Sequence, residues 1–290
     1  MKNLNLILFA AFALCVACKE NPIKKSKPAN TYLNTDIVLD SVSPAGMIEL
    51  QIQSSGSTIY GLEYTANGEG PHPTLVLLHG LPGNERNLDL AQNIRRAGYN
   101  VIYFDYRGNW GGEGKFSFAN GIADAKAVLD HITDSANIET MRIDTNRIFL
   151  MGHNTGGGMA LVAGVDDPRV KGIITLSLFN PYRLFRGRSA ELNAADLAAY
   201  FSTLGTLNTK PEEFLQEITQ HIDSYNMEQI IANSNKPILV IDEQKANDYL
   251  SQYKSNKKLA YEVWGTDITF TNKRIALSNR VNAFLEKYAK

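Results

Sequence analysis

Cysteine is nearly missing from this chain of 290 residues, and the two present, Cys15 and Cys18, both fall within the first twenty positions. Nothing after them can form a disulfide or a thiolate metal site. Histidine is scarce as well: the five are His72, His79, His131, His153 and His221, so no position beyond 221 can supply an imidazole. An excess of one charge is also lacking. With 29 basic and 30 acidic residues the formal net charge is −1, without the bias that binding a phosphate backbone requires, so nucleic acid is not an expected partner. There is no His-x-x-x-His pair and no carboxylate cluster, since Asp105, Glu113 and Asp124 are scattered, and neither a metal nor another cofactor is expected.

What is there begins with an apolar leader. Lys2 precedes a run from Leu4 to Ala17 that is too short to cross roughly 30 Å of hydrocarbon as a helix, so residues 1–17 are expected to be a signal peptide rather than an anchor. The end of that run, Cys15-Val16-Ala17-Cys18, resembles a bacterial lipobox, which implies cleavage ahead of Cys18 and lipidation of that residue; an ordinary secretory leader is the alternative. Lys19, Lys24, Lys25 and Lys27, with Pro22 and Pro28, cannot pack a core and read as a tether reaching about residue 44. Lys19-Glu20 is similar to the surface-export signals of lipoproteins in the Bacteroidota. These features imply a domain held at the bacterial cell envelope, on the outer membrane at its periplasmic face or at the cell surface, touching the membrane through its lipid alone.

The remainder, 45–290, is long and apolar enough for one large core, with 44% hydrophobic residues in the whole chain. Met47 to Gln53 and Thr58 to Thr65 alternate apolar and polar residues around Ser54-Ser55-Gly56-Ser57, which predicts an antiparallel hairpin. Unbroken apolar runs follow at Pro73 to Leu78, Val101 to Phe104, Arg147 to Met151, Gly172 to Leu178, Pro237 to Ile241 and Leu259 to Trp264, as expected for strands buried on both faces of a parallel sheet. Helical spacing marks Asn87 to Ala97, Asn120 to Ile132, Gly156 to Gly164 and Asn272 to Tyr288, the last through Ile275, Leu277, Val281, Phe284 and Leu285. Alternating strand and helix predicts a doubly wound, mostly parallel α/β sheet. Between Leu178 and Pro237 the alternation stops, and Ala190 to Leu204 and Pro211 to Tyr225 predict a helical cap at about 180–235, over the crevice where open α/β sheets bind ligands.

At Leu150-Met151-Gly152-His153-Asn154-Thr155-Gly156-Gly157 a strand meets a helix through glycines. In Gly-x-Ser-x-Gly such glycines let a strained turn lift a nucleophile above the sheet, but here the central residue is Asn154. With Leu78-His79-Gly80-Leu81-Pro82-Gly83-Asn84, Asp105-Tyr106-Arg107-Gly108 and Thr266-Asp267-Ile268-Thr269-Phe270 in order along the chain, residues 45 to 290 resemble the α/β-hydrolase superfamily, particularly its prolyl-oligopeptidase-like and dienelactone-hydrolase-like branches. The resemblance implies an α/β-hydrolase fold with an N-terminal antiparallel hairpin and a cap. It puts the nucleophile position on Asn154, the acid on Ala246 or, with a two-residue slip, Asp248, and the histidine on Ile268. It implies oxyanion-hole donors at Leu81 N–H and Thr155 N–H, with His79, His153 and Trp110 as candidates to line the pocket.

An amide nitrogen offers no lone pair for acyl transfer. Losing the serine or the histidine of a triad costs about 10⁶-fold in turnover, roughly 8 kcal/mol, whereas oxyanion donors and binding alone keep about 10³ to 10⁴ over water. The expected function is therefore a catalytically inactive hydrolase-like lipoprotein with a pocket for a small carbonyl or carboxylate ligand, or a surface for a protein partner. The alternative is an esterase or peptidase with a displaced nucleophile, Thr155, Ser177 or Ser189. Arg183, Arg186 and Arg188 at the start of the cap would then receive an anionic ligand or form a solvated basic turn.

Overall fold

The computed structural model describes residues 31–253 and 255–290. The expected signal peptide, Cys18 and the first part of the tether lie outside the described residues. A short helix α1 (Thr31–Asn34) precedes strands β1 (Gly46–Ser54) and β2 (Ser57–Thr65), which pair antiparallel with Ser54 opposite Ser57. Ser55 and Gly56 turn between them with φ of 45° and 83°, the left-handed pair that two-residue hairpins favour.

From there strands and helices alternate. β3 (His72–Leu78), α2 (Leu88–Arg96), β4 (Asn100–Phe104), α3 (Phe118–Thr133), the short α4 (Ser135–Ile138), β5 (Ile143–His153), α5 (Thr155–Gly164) and β6 (Val170–Leu176) come first. The cap follows, as α6 (Pro181–Phe185), α7 (Ala190–Phe201), α8 (Pro211–Gln220) and α9 (Met227–Asn233), and then β7 (Ile238–Asp242), β8 (Leu259–Val263) and α10 (Arg274–Tyr288). The eight strands form one sheet in the order β1-β2-β4-β3-β5-β6-β7-β8, antiparallel at β1-β2-β4 and parallel across the rest. This is the α/β-hydrolase fold.

The apolar runs of β3 to β7 sit where two-sided burial requires them, but β8, expected to be buried on both faces, is the edge strand, half-buried from Leu259 to Glu262 and exposed at Val263 because nothing pairs with its outer side. β4 and β7 are buried throughout, with one core cluster against α3 and α5 and the other against α2 and α10. Chain order reverses at β4-β3-β5, so the loops leaving β3 and β5 open beside each other, with Leu78 in register with Gly152.

The structure extends the sequence reading in the cap. α6 and α9 escape the periodicity because they are short, yet Asn180 and Asn226 cap them by accepting from Arg183 N and Gln229 N. One residue departs from expectation at the C-terminus. Ile275, counted in the apolar stripe of the last helix, is 71% exposed, because burial along α10 begins only at Leu277.

Candidate functional site

β5 ends at His153 and α5 starts at Thr155, leaving Asn154 to make the whole turn at φ 50° and ψ −115°, a conformation an L-residue holds only when its surroundings enforce it. Four backbone bonds do so. Asn154 N donates to Leu176 O at 2.8 Å, and Asn154 O accepts from Gly157 N at 2.9 Å, Phe179 N at 3.2 Å and Gly158 N at 3.4 Å. The flanking glycines are required by close approach: a Cβ at Gly152 would lie 2.0 Å from Gly156 O, and one at Gly156 would lie 2.2 Å from Leu78 O.

The loop after β3 crosses directly over this turn, near enough that a Cβ at Gly80 would sit 3.2 Å from Asn154 Cβ. Leu81 and Thr155 thus flank Asn154 in one cavity of about 610 Å³. Neither the Leu81 N–H nor the Thr155 N–H, the first of α5, has a protein acceptor among the described residues. The Thr155 hydroxyl is turned back, donating to Asn154 Oδ1 at 3.1 Å. That bond engages one lone pair of Oδ1 and orients the amide, and Nδ2 has no acceptor among the described residues.

Ile268 lines the same cavity from the loop after β8, half-exposed. His153 joins the two: its Nε2 lies 2.8 Å from Ile268 O, and its Nδ1 lies 3.5 Å from Asn87 Nδ2. With Nε2 donating to a carbonyl and Nδ1 facing an amide donor, both ring nitrogens are engaged. Burial holds this imidazole below its ordinary pKa, so it is neutral near pH 7. Arg274 secures the loop further by donating to Thr269 O at 3.0 Å and Asn87 Oδ1 at 3.1 Å.

The other proposed pocket residues lie elsewhere. His79 is buried beneath the loop, its Nδ1 2.7 Å from Gly80 O and its ring 4.4 Å from that of Tyr106, and burial pushes its pKa down to about 4. Trp110 braces the loop from outside, its indole N–H donating to Pro82 O at 2.8 Å. Both support the cavity wall without lining it, because the chain after β3 and β4 turns their rings behind Gly80 to Gly83.

At the acid position, Ala246 and Asp248 are exposed and absent from the cavity, and Asp248 accepts from Ser251 Oγ at 3.1 Å. The buried carboxylate of this region is Asp242, the last residue of β7, which accepts from Leu178 N at 3.1 Å and Asn247 Nδ2 at 3.0 Å. Burial raises it to about 6. Asn247 in turn bonds Tyr249, and Tyr249 bonds Asn180 at the start of the cap. Sequence reading missed this network because its members come from three segments, although an acid ending an apolar strand was a visible signal.

The displaced hydroxyls are occupied or outside. Ser189 Oγ accepts from Leu192 N as the cap of α7, and Ser177 is buried behind the elbow, off the cavity. Each basic residue at the start of the cap meets an acid: Arg183 pairs with Glu228, Arg186 with Asp223, and Arg188 with Asp196 at 2.6 Å. They do not converge on the cavity. The cap instead gives it an apolar roof, including Phe185, Leu197, Phe201, Leu204 and Phe214. Tyr200 on α7 latches that roof to the oxyanion-type loop, its hydroxyl donating to Leu81 O at 2.7 Å.

The family model for serine aminopeptidase, S33, matches residues 69–255, more than half of the chain. An uncharacterized 31.7 kDa protein in the traX-finO intergenic region of Escherichia coli is 30% identical over 154 residues, covering 52% of each chain. Lysophosphatidylserine lipase ABHD12 of Danio rerio is 31% identical over 101 residues, 33% of this chain and 24% of the lipase. The chain thus matches about half the length of its first curated relatives, and less of the lipase. Among solved structures, Est1E from Butyrivibrio proteoclasticus, with ferulic acid bound, superposes with a TM-score of 0.61 at 16% identity, covering 82% of this chain and 98% of that one. At that identity the likeness concerns the fold.

Proposed function

We infer the function of this chain from two facts: it belongs to the serine aminopeptidase S33 family of α/β hydrolases, and an asparagine makes its strand-to-helix turn. The reading is a catalytically inactive hydrolase that keeps a ligand pocket, carried on the bacterial cell envelope by a lipid on Cys18. The observation that supports it most is the group of side chains around that turn. Asn154 has no nucleophilic lone pair, Ile268 stands where the resemblance puts the histidine, and His153 is the one imidazole lining the cavity among the described residues, with both nitrogens engaged. A hydrolase needs a nucleophile and a base within hydrogen-bond reach of each other, and these side chains supply neither. What remains is a roofed apolar cavity with unpaired N–H donors at its floor, which suits binding an acyl compound better than cleaving one.

Labelling with a fluorophosphonate serine probe tests this. The natural protein is expected to stay unlabelled, while an Asn154→Ser, Ile268→His double variant gains labelling because the turn and the N–H donors are already in place. Covalent labelling of the natural protein at a serine or threonine near the elbow would overturn the reading.

A further inference from the structure

We propose that Asn154 is a ligand-binding donor, and that with the Leu81 and Thr155 N–H groups it makes the cavity selective for an uncharged carbonyl compound, an ester or amide with an apolar body, over a free carboxylate. This deepens the pocket reading above and rests on it.

The Thr155 hydroxyl engages one lone pair of Asn154 Oδ1 and so orients the amide, and the group with no partner among the described residues, free for a ligand, is the Nδ2 donor. Serine at this position would offer one hydroxyl hydrogen, whereas the oriented amide keeps two N–H donors on Nδ2 beside an oxygen already engaged once. The two backbone N–H groups beside it only donate, so donors predominate at the floor of the cavity, which suits an oxygen with lone pairs and no hydrogen. A carbonyl oxygen fits that demand.

Charge decides between a neutral and an anionic carbonyl. No lysine or arginine lines the cavity, and its one ionisable acid is Glu85. The nearby cations are committed: Arg274 to Asp89 and, at 4.0 Å, to Glu85 itself, Arg86 to Asp105 at 3.3 Å, and Arg183, Arg186 and Arg188 to acids of the cap. A carboxylate entering under the apolar roof would lose its hydration with no side-chain cation lining the cavity to replace it, a cost a neutral carbonyl avoids. The roof of phenylalanine and leucine side chains favours an apolar body, and about 610 Å³ leaves room for a chain or ring system well beyond a few carbons.

The test is calorimetric titration of the purified full chain at pH 8 with methyl octanoate, octanamide and sodium octanoate, repeated on Asn154→Asp and Asn154→Ala. Asn154→Asp keeps the shape of the side chain while replacing its donor with an anionic acceptor, so it separates ligand recognition from folding. The ester and the amide are expected to bind at least about ten-fold more tightly than octanoate, and to weaken about ten-fold in Asn154→Asp and about five-fold in Asn154→Ala. Equal or tighter binding of octanoate, or neutral-ligand binding unchanged in Asn154→Asp, would overturn the inference and leave the pocket standing. No heat with any of the three would overturn the retained pocket and the inference together.

Discussion

Glu63 lies on β2 with its side chain fully buried and both carboxylate oxygens without a partner among the described residues. Burial raises its pKa to about 8, against a smaller opposing pull from Arg142. Between the ordinary value near 4.5 and about 8 the folded chain holds a proton that the unfolded chain has released. Stability is therefore full below the lower value and falls as pH rises through this window. Glu63→Gln removes the effect, and its stability relative to the parent is expected to improve between pH 5 and pH 9 by on the order of 3 kcal/mol, read by urea unfolding at both pH values. Legibility at this scale divided by locality. Asn154, Thr155, Leu81, His153 and Ile268 meet in one cavity because each sits at a fixed offset from a strand end, which sequence spacing reveals. His79 and Trp110 misled because the side of the loop a ring takes is settled by tertiary packing, and the same holds for the buried network from Asp242 to Asn180.

At the scale of elements, the β5-turn-α5 unit is the most constrained. Gly156→Ala would push a methyl group to 2.2 Å from Leu78 O and 2.4 Å from His79 O, both backbone atoms that cannot step aside alone. A loss of about 2 to 4 kcal/mol is expected in urea unfolding. Gly205→Ala, where nothing lies within 4 Å, should stay within about 0.5 kcal/mol and serves as the control. The same unit was the clearest signal in the sequence, since glycines demanded by close approach leave a pattern even when the reactive residue has changed. Short cap helices leave less. α9 carries Met227, Ile230 and Ile231 in under two turns, too few to show a period, and its asparagine cap was the better sign.

For the whole molecule, strand identity followed from apolar runs, because burial is a property a strand carries in its own composition, whereas the order β1-β2-β4-β3-β5-β6-β7-β8 came only with the structure. Placement in the cell does not follow from the domain. No helix among the described residues is long and apolar enough to cross a membrane. The attachment proposed above is through Cys18. Expressed as the full chain in bacteria fed an alkynyl fatty acid, the protein should be labelled and sediment with the envelope, and Cys18→Ala should lose both properties. An unlabelled parent chain would remove the lipid anchor from the proposal.

Leu81 has a double attachment whose consequence is thermodynamic. Its N–H belongs to the floor of the cavity, while its carbonyl holds the Tyr200 hydroxyl of α7. A guest that draws on the first group acts on the residue that secures the second, and whatever coupling this gives between occupancy of the cavity and order in the cap is reciprocal, each acting on the other by the same factor.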